Sequence, residues 1–545
     1  MCSFASAGVE SRHGSLLKDG LRDGRVEAQE YALWSLSNIN DTTSKEAIVH
    51  TGGINPLITS LGSGKLSPAA QEHAAAVLSG LAPIGQNAVA IRDARGIDPL
   101  VSLLSQGNTG AKEHSAAALA QLALRAGAAL EIAEAGAVSA FVSWLADPSL
   151  GPPDVAARAL SEIALDTPDT QAQIAEEGAI SPLVVMLSAS LPNPMVRSNS
   201  VASTPAPMTR TNTVASLEMA SAIRDQRKLR DLYSGTSANS AKLSNTAAGA
   251  LATLAKGNVV NQITIAEEEG IKPLVDLLKD GALSTIHENA TRALWHLGEY
   301  EDNQSAIARA GGIVPLVGLL SSDNELTSQY ASAALKSLAR NHTENQIALA
   351  KAGAIEPLVK LLGSDSKETQ EHAVGALLYL ASQDEESRNA VVKRLVAVLN
   401  ARNAGAQMKS AEALAVLAAR TVENRKAITA AKAIEPLVHL LGDGRRARSE
   451  TPQERAAAVL ADLARLNENR VAIVKAGAVS PLVCMLSSDA PEAQRHAAGA
   501  LSQLAAIGSN KTVIAEAGAI RPLVALLKGG TSTVEARKFT AAGTR

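Results

Sequence analysis

Aromatic side chains are almost missing from this chain: 3 Trp, 5 Tyr and 3 Phe make up 2% of 545 residues. A core built without rings must come from Leu, Val, Ile and Ala, and small, helix-favouring alanines let helices approach closely. Cysteine is as scarce. Cys2 and Cys484 are the only two, which argues against a disulfide framework and for a reducing intracellular compartment. No apolar run reaches transmembrane length, and the first residues lack the apolar stretch of a signal peptide. Position 2 is Cys rather than Gly, so N-myristoylation is not expected and palmitoylation of Cys2 is the acyl modification to consider. Charge of one sign is lacking too. A net charge of −3 from 51 basic and 54 acidic residues gives no global field for nucleic acid or an anionic membrane. The chain is expected to be a cytoplasmic monomer, with the nucleus as a second compartment.

Catalytic patterns are also absent. Neither cysteine sits in a zinc or nucleophile motif, and no Gly-rich phosphate loop or paired-carboxylate motif occurs. His73, His114, His372 and His496 recur at one place in a repeating pattern, in Q-E-H-A, K-E-H-S, Q-E-H-A and Q-R-H-A. Residues at one repeat position stand about 10 Å apart, the spacing of packed helices, too far to share a metal. They read as structural. No enzyme activity, metal or cofactor is expected.

What the chain has in abundance is repetition. The phrase G-A-I-E-P-L-V-K-L-L at 353–362 returns with its proline at Pro56, Pro99, Pro182, Pro273, Pro315, Pro357, Pro436, Pro481 and Pro522. Ala140 and Arg394 stand where two further prolines would fall, and Pro315 to Pro357 sets a period of 42 residues. A second phrase, A-x-x-A-L-x-x-L-A, follows each first one, centred on leucines such as Leu78, Leu119, Leu335, Leu377 and Leu501. In 370–381 its apolar residues Ala373, Ala376, Leu377, Leu380 and Ala381 keep the spacing of an amphipathic helix. The proline phrase is too apolar for a surface strand and reads as a buried helix with proline in its first turn, where no amide donor is needed. The Ala-Gly or Gly-Gly before it ends a shorter helix such as N-Q-I-A-L-A-K at 345–351. Each unit is therefore three helices, and such a period predicts a solenoid.

Period, helix order and the Gly-x-x-x-Pro-Leu phrase together resemble the armadillo repeat over nearly the whole length. The resemblance implies an all-α, right-handed superhelical armadillo-repeat solenoid of about 11 repeats, with three helices per repeat. In that family the third helices line a concave groove that binds extended peptides or partner proteins. The expected organisation is residues 1–188 as N-terminal repeats, 189–238 as an insertion, and 239–545 as C-terminal repeats. The repeat around Arg394 has lost its Ala-Gly-Ala-Ile turn, so its first two helices should be fused or shortened. The last helix, ending K-F-T-A-A-G-T-R, reads as truncated.

The insertion is the individual feature. Pro182 to Leu251 spans 69 positions against 20 elsewhere, which places 49 extra residues between a second and a third helix. Its first half is Ser/Thr/Pro/Asn-rich and reads as a disordered loop. It carries a duplicated phrase, V-R-S-N-S-V-A-S and T-R-T-N-T-V-A-S, each putting an arginine three residues before a hydroxyl: Arg197 before Ser200, Arg210 before Thr213. This is similar to the substrate pattern of basophilic kinases, and a phosphate there would add about −1.5 to −2 charges. Ser449, three residues after Arg446 in a smaller loop elongation, is a third candidate. The second half of the insertion, with Arg224, Arg227, Lys228 and Arg230, predicts a basic helix that either folds back on the solenoid or binds a partner.

Within the resemblance, groove chemistry falls on two third-helix positions four apart. Import adaptors of the importin-α type carry Trp and Asn there repeatedly. This chain has that pair once, as Trp34 and Asn38. Elsewhere the positions hold Ala117/Gln121, Arg158/Glu162, Gly249/Thr253, Arg292/His296, Ala333/Ser337, Gly375/Tyr379, Ala458/Asp462 and Gly499/Gln503, among others. Gln121, Glu162, His296, Ser337, Tyr379 and Gln503 are expected to contact a partner backbone, Arg158 and Arg292 to meet acidic groups, and the small residues to leave room for a bulky ligand. The function so implied is a scaffold or adaptor binding other proteins or peptides. An importin-α-like cargo adaptor or a substrate-recognition subunit of a ubiquitin ligase stands as the alternative.

Overall fold

A computed structural model of the protein describes residues 26–39, 41–62, 66–188, 191, 228–229, 232–233, 237–279, 284–382, 384–442 and 451–527. All regular structure among these residues is helical, in 32 helices. The chain forms two compact units, residues 1–310 and 311–545. The insertion at 189–238 lies within the first.

The expected three-helix unit is seen at Thr343–Lys351, Ile355–Leu361 and Lys367–Ala381. Gly353 between the first two takes φ +79, a left-handed value that a glycine adopts without the steric cost of a Cβ. Ala354 N then donates to Leu349 O at 3.1 Å and Gly353 N to Ala350 O at 3.0 Å, closing the first helix with a Schellman motif. Pro357 sits at the third position of the second helix, where its missing N–H has no intrahelical acceptor to lose. The third helix opens on Ser366, whose Oγ accepts from Thr369 N at 3.2 Å. Its apolar stripe, Ala373, Ala376, Leu377, Leu380 and Ala381, is buried.

In the first unit the third helices Val26–Ser37, Pro68–Leu81, Thr109–Ala126, Pro153–Ile163, Ser237–Ala255 and Ser284–Leu297 pack in succession, each on the next. In the second unit Glu325–Ala339, Lys367–Ala381, Ala404–Arg420, Pro452–Leu463 and Pro491–Leu504 do the same. The core is aliphatic, as the scarcity of rings required: Leu78, Leu119, Leu160, Leu251, Leu335 and Leu377 are fully buried.

A second set of contacts ties successive helices together. The last carbonyls of a helix have no intrahelical donor, and here the following first helix supplies one. Nδ2 of Asn261 donates to Leu254 O at 2.9 Å, and that of Asn303 to Leu297 O at 3.1 Å. Asn345, Asn424, Asn469 and Asn510 repeat the contact in the second unit, on Leu338, Leu417, Leu463 and Leu504. The next residue caps a neighbouring carbonyl: Gln262 on Ala255, Gln346 on Ala339, and Arg425 on Ala418. Buried polar residues thus form a cap ladder between repeats.

Two irregularities read from the sequence take definite form. Around Arg394 the first and second helices are one, Glu385–Val398, and Arg394 Nη1 pairs with Glu356 of the preceding repeat at 2.8 Å. At the insertion, Ser237–Ala255 packs directly on Pro153–Ile163, with Ser161 and Thr253 hydroxyls 2.9 Å apart. Gln171 Nε2 donates to Thr253 O at 3.2 Å and Asn261 Nδ2 to Gln171 O at 3.2 Å, so stacking continues past the extra residues. Tyr233, near their end, is 2% exposed, and its hydroxyl donates to Leu145 O. Burial pushes that phenol far above its ordinary range. Of the basic residues expected on a helix, Lys228 is described and lies near Asp147. Cys2, Ser200, Thr213, Arg224, Arg227, Arg230, Ser449 and the chain from 528 onward lie outside the described residues.

Candidate functional site

Three adjacent third helices of the first unit, Pro68–Leu81, Thr109–Ala126 and Pro153–Ile163, line an open cleft of ≈370 Å³. Its floor is small and apolar: Ala116, Ala117, Ala120, Val155 and Ala159. Ser79, Gln121, Arg158 and Glu162 supply the polar lining. Three residues expected to make contacts therefore meet in one place: Gln121, Arg158 and Glu162.

Glu162 is half-buried and Arg158 exposed. Burial raises the Glu162 carboxyl above the ordinary glutamate range, and the charge of Arg158 offsets this only in part. The two do not come within ion-pair distance, and Glu162 makes no ion pair with any described residue.

The other candidates are placed differently. Trp34 is 57% exposed, and Asn38 Nδ2 turns back onto Trp34 O at 2.8 Å, so part of its bonding capacity is spent on its own helix. Arg292 does not stand free to meet an acidic group: its Nη2 donates to Gly249 O of the neighbouring third helix at 3.3 Å. His296 is 5% exposed, its ring stacked on Trp295 with centroids 4.4 Å apart and its Nδ1 3.6 Å from Glu299 Oε2. It is a packing residue rather than a presented one. Ser337, Tyr379 and Gln503, in the second unit, are half-buried.

The small residues do not all leave room, contrary to the expectation from sequence. A Cβ at Gly375 would lie 2.8 Å from Lys336 Cε, so the lysine stem already covers that glycine. Gly249 is bordered more loosely, with Asn289 side-chain atoms 3.4 Å from where its Cβ would be, an ordinary contact distance. In the alanine-floored cleft the short side chains of Ser79 and Val155 stand beside Ala117 and Ala159, and the longer Gln121, Arg158 and Glu162 complete the lining without closing it.

The recurrent histidines make local contacts. His73 Nδ1 lies 3.2 Å from Ser37 Oγ. Arg495 Nη2 lies 3.1 Å from His496 Nε2, which must accept and so leaves the ring neutral. Burial first, and Arg495 second, lower the His496 pKa to about 4. Among the described residues no group of three His, Cys, Asp or Glu gathers to hold a metal, and no helix is long and apolar enough to cross a membrane.

Stacked three-helix units with a side-chain wall built by the third helices define an armadillo-type solenoid. Residues 228–538, more than half of the chain, match the family model described as the plant U-box protein ARM repeat region, and the chain belongs to that family. Among solved structures it is similar to the crystal structure of an engineered protein from a structural genomics consortium. The TM-score is 0.61 at 28% identity, over 90% of this chain and 98% of that one. No curated protein matches the chain.

Proposed function

We propose that this protein is a non-catalytic scaffold that holds an extended segment of a partner protein against its third helices, in the cytoplasm. The carrying observation is the open cleft between Ser79 and Glu162, where a wall of small apolar residues meets the polar side chains of Ser79, Gln121, Arg158 and Glu162, a mixed surface able to take a ligand backbone and one or two side chains. Armadillo solenoids are in general protein-interaction scaffolds, and membership of the family supports the reading. The test is affinity capture from the native cell with the full chain and with Ala117→Arg, which fills the cleft from a half-buried position. Partners recovered by the wild type should be lost with the variant. Identical recovery of every partner would refute binding at this face.

The family description names U-box proteins, which favours substrate recognition in a ubiquitin ligase as the second reading. Cleft-dependent partners that become ubiquitylated when this protein is present, and not when it is depleted, would select it. Phosphorylation of Ser200, Thr213 and Ser449 is the regulation proposed for either role. Mass spectrometry of protein purified from cells under several growth conditions tests it, and three unmodified sites throughout would exclude it.

A further inference from the structure

We propose that the repeat formed by Ala137–Ala146 and Pro153–Ile163 carries a docking site for the end of the chain's own insertion, and that Tyr233 is a displaceable plug supplying the hydrogen-bond cap this repeat lacks. Comparison of the repeats carries this. In three of them, the residue seven positions before the central leucine of the third helix caps the carbonyl that closes the second. Gln71 Nε2 donates to Leu61 O at 3.2 Å, Ser244 Oγ to Leu187 O at 2.9 Å, and Gln407 Nε2 to Leu399 O at 2.9 Å. In the docking repeat the same position is Pro153, which has no donor, and the matching carbonyl is that of Leu145. Leu145 O accepts instead from the Tyr233 hydroxyl, 88 residues further along. A buried carbonyl left without a donor is costly, so the missing cap and the incoming hydroxyl answer one another. Tyrosine suits the task, with an apolar body to bury and a polar tip to bond. Its ring is 2% exposed, whereas Leu229 beside it is half-buried, Leu232 is 57% exposed, and Lys228 lies exposed near Asp147. The described end of the insertion is thus held mainly through one side chain. Its hydrogen bond is worth about fivefold in the ratio of seated to released forms. Release frees the insertion's end and opens the Leu145 carbonyl, and a donor supplied at Leu145 by any other group favours that release.

The test treats the full chain with tetranitromethane, which nitrates accessible phenols, and reads each site by peptide mass spectrometry. Tyr31, 73% exposed, is the internal reference, and Tyr233 should react much more slowly. Pro153→Gln, which offers Leu145 O a donor like that of Gln71, should raise the Tyr233 rate about fivefold. Pro153→Ala, which removes the proline and adds no donor, should leave it unchanged. Trypsin cleavage after Lys228 gives a second reading. Tyr233→Phe should speed it about fivefold in the wild-type background and not at all beside Pro153→Gln. Tyr233 reacting as fast as Tyr31 in the wild type overturns the docking site. Equal behaviour of Pro153→Gln and Pro153→Ala overturns the exchange of one cap for the other. Cleavage unaffected by Tyr233→Phe in the wild-type background overturns it as well, even if Pro153→Gln fails to fold. The groove reading stands or falls separately, since neither Leu145 nor Tyr233 lines the cleft.

Discussion

Asn303 offers the sharpest test of how the repeats are joined. It is 3% exposed, and its Nδ2 donates to Leu297 O at 3.1 Å, closing the third helix before it, and to Gln262 O at 3.0 Å, in the first helix of the preceding repeat. Leu297 O otherwise accepts only a long bond from Tyr300 N, at 3.3 Å. Asn303→Ala removes both donors. At a net value near 1 kcal/mol per hydrogen bond, with a buried carbonyl left poorly satisfied, the loss should be about 2–3 kcal/mol. Asn303→Asp is nearly isosteric and separates packing from bonding. It brings a buried carboxylate against two carbonyl oxygens, so about 3–5 kcal/mol should be lost at neutral pH. The carboxyl pKa would be raised in the folded state, so the deficit is largest above that pKa and shrinks as falling pH protonates it.

Because neighbouring repeats contribute separately to the stability of an array, the assay must be local. Hydrogen exchange should accelerate in Val259–Glu267 and Glu301–Arg309, with a lower denaturant midpoint for the same unit. Asn467→Asp is the control, an exposed asparagine at the first position of a helix, where a change of no more than about 0.5 kcal/mol is expected. If Asn303→Asp matched the wild type in midpoint and exchange, the cap ladder would not be holding the repeats.

Three further outcomes follow from the same contacts. A Cβ at Gly151 would lie 2.2 Å from the ring of Trp144, itself 2% exposed, so Gly151→Ala should cost about 1–3 kcal/mol by overpacking, read from the thermal midpoint by tryptophan fluorescence. Tyr233→Phe should cost about 1 kcal/mol through the lost bond to Leu145 O, and Tyr233→Ala about 3–5 kcal/mol through the cavity; equal midpoints for both would show that this side chain is not anchored. His496 has its folded pKa lowered to about 4, so the stability it contributes is present above about 6.5 and lost as pH falls toward 4. His496→Gln should flatten that part of the thermal-midpoint profile, and an unchanged profile would place the acid sensitivity elsewhere.

The fold was legible because its signals are local. Pro357 in the first turn of its helix, Gly353 in the left-handed turn before it, and the stripe from Ala373 to Ala381 each follow from a few consecutive residues. The fusion at Glu385–Val398 was legible for the same reason, since a missing Ala-Gly turn is itself a local signal. The cap ladder is written in the sequence too, but its meaning is not local. Asn-Gln recurs at 261–262, 303–304 and 345–346, and Asn-Arg at 424–425 and 469–470, in helices whose other polar positions vary. Helical spacing explains why these residues face one way. Only the position of the preceding third helix explains why an amide belongs there, and that distance is not encoded in any short window.

The groove shows where local reading stops. Gln121, Glu162, Thr253 and His296 occupy one repeat position, and sequence treats them alike. Their roles diverge because each third helix is bordered by a different neighbour. Thr253 is buried beside Ser161, and His296 is buried with its ring on Trp295, while Glu162 opens onto alanines and Gln121 lines the same cleft. Gly249 and Gly375 look like vacancies until Asn289 and Lys336 are found across them. A recognition site in such an array is therefore set by pairs of repeats, a short residue on one helix and the length of the side chain facing it on the next. Where both are short and a carboxylate stands at the edge, as at Ala117, Ala159 and Glu162, the surface is left to an outside chain. Substituting one repeat position for another should accordingly transfer binding only when the facing residue of the adjacent repeat is exchanged with it.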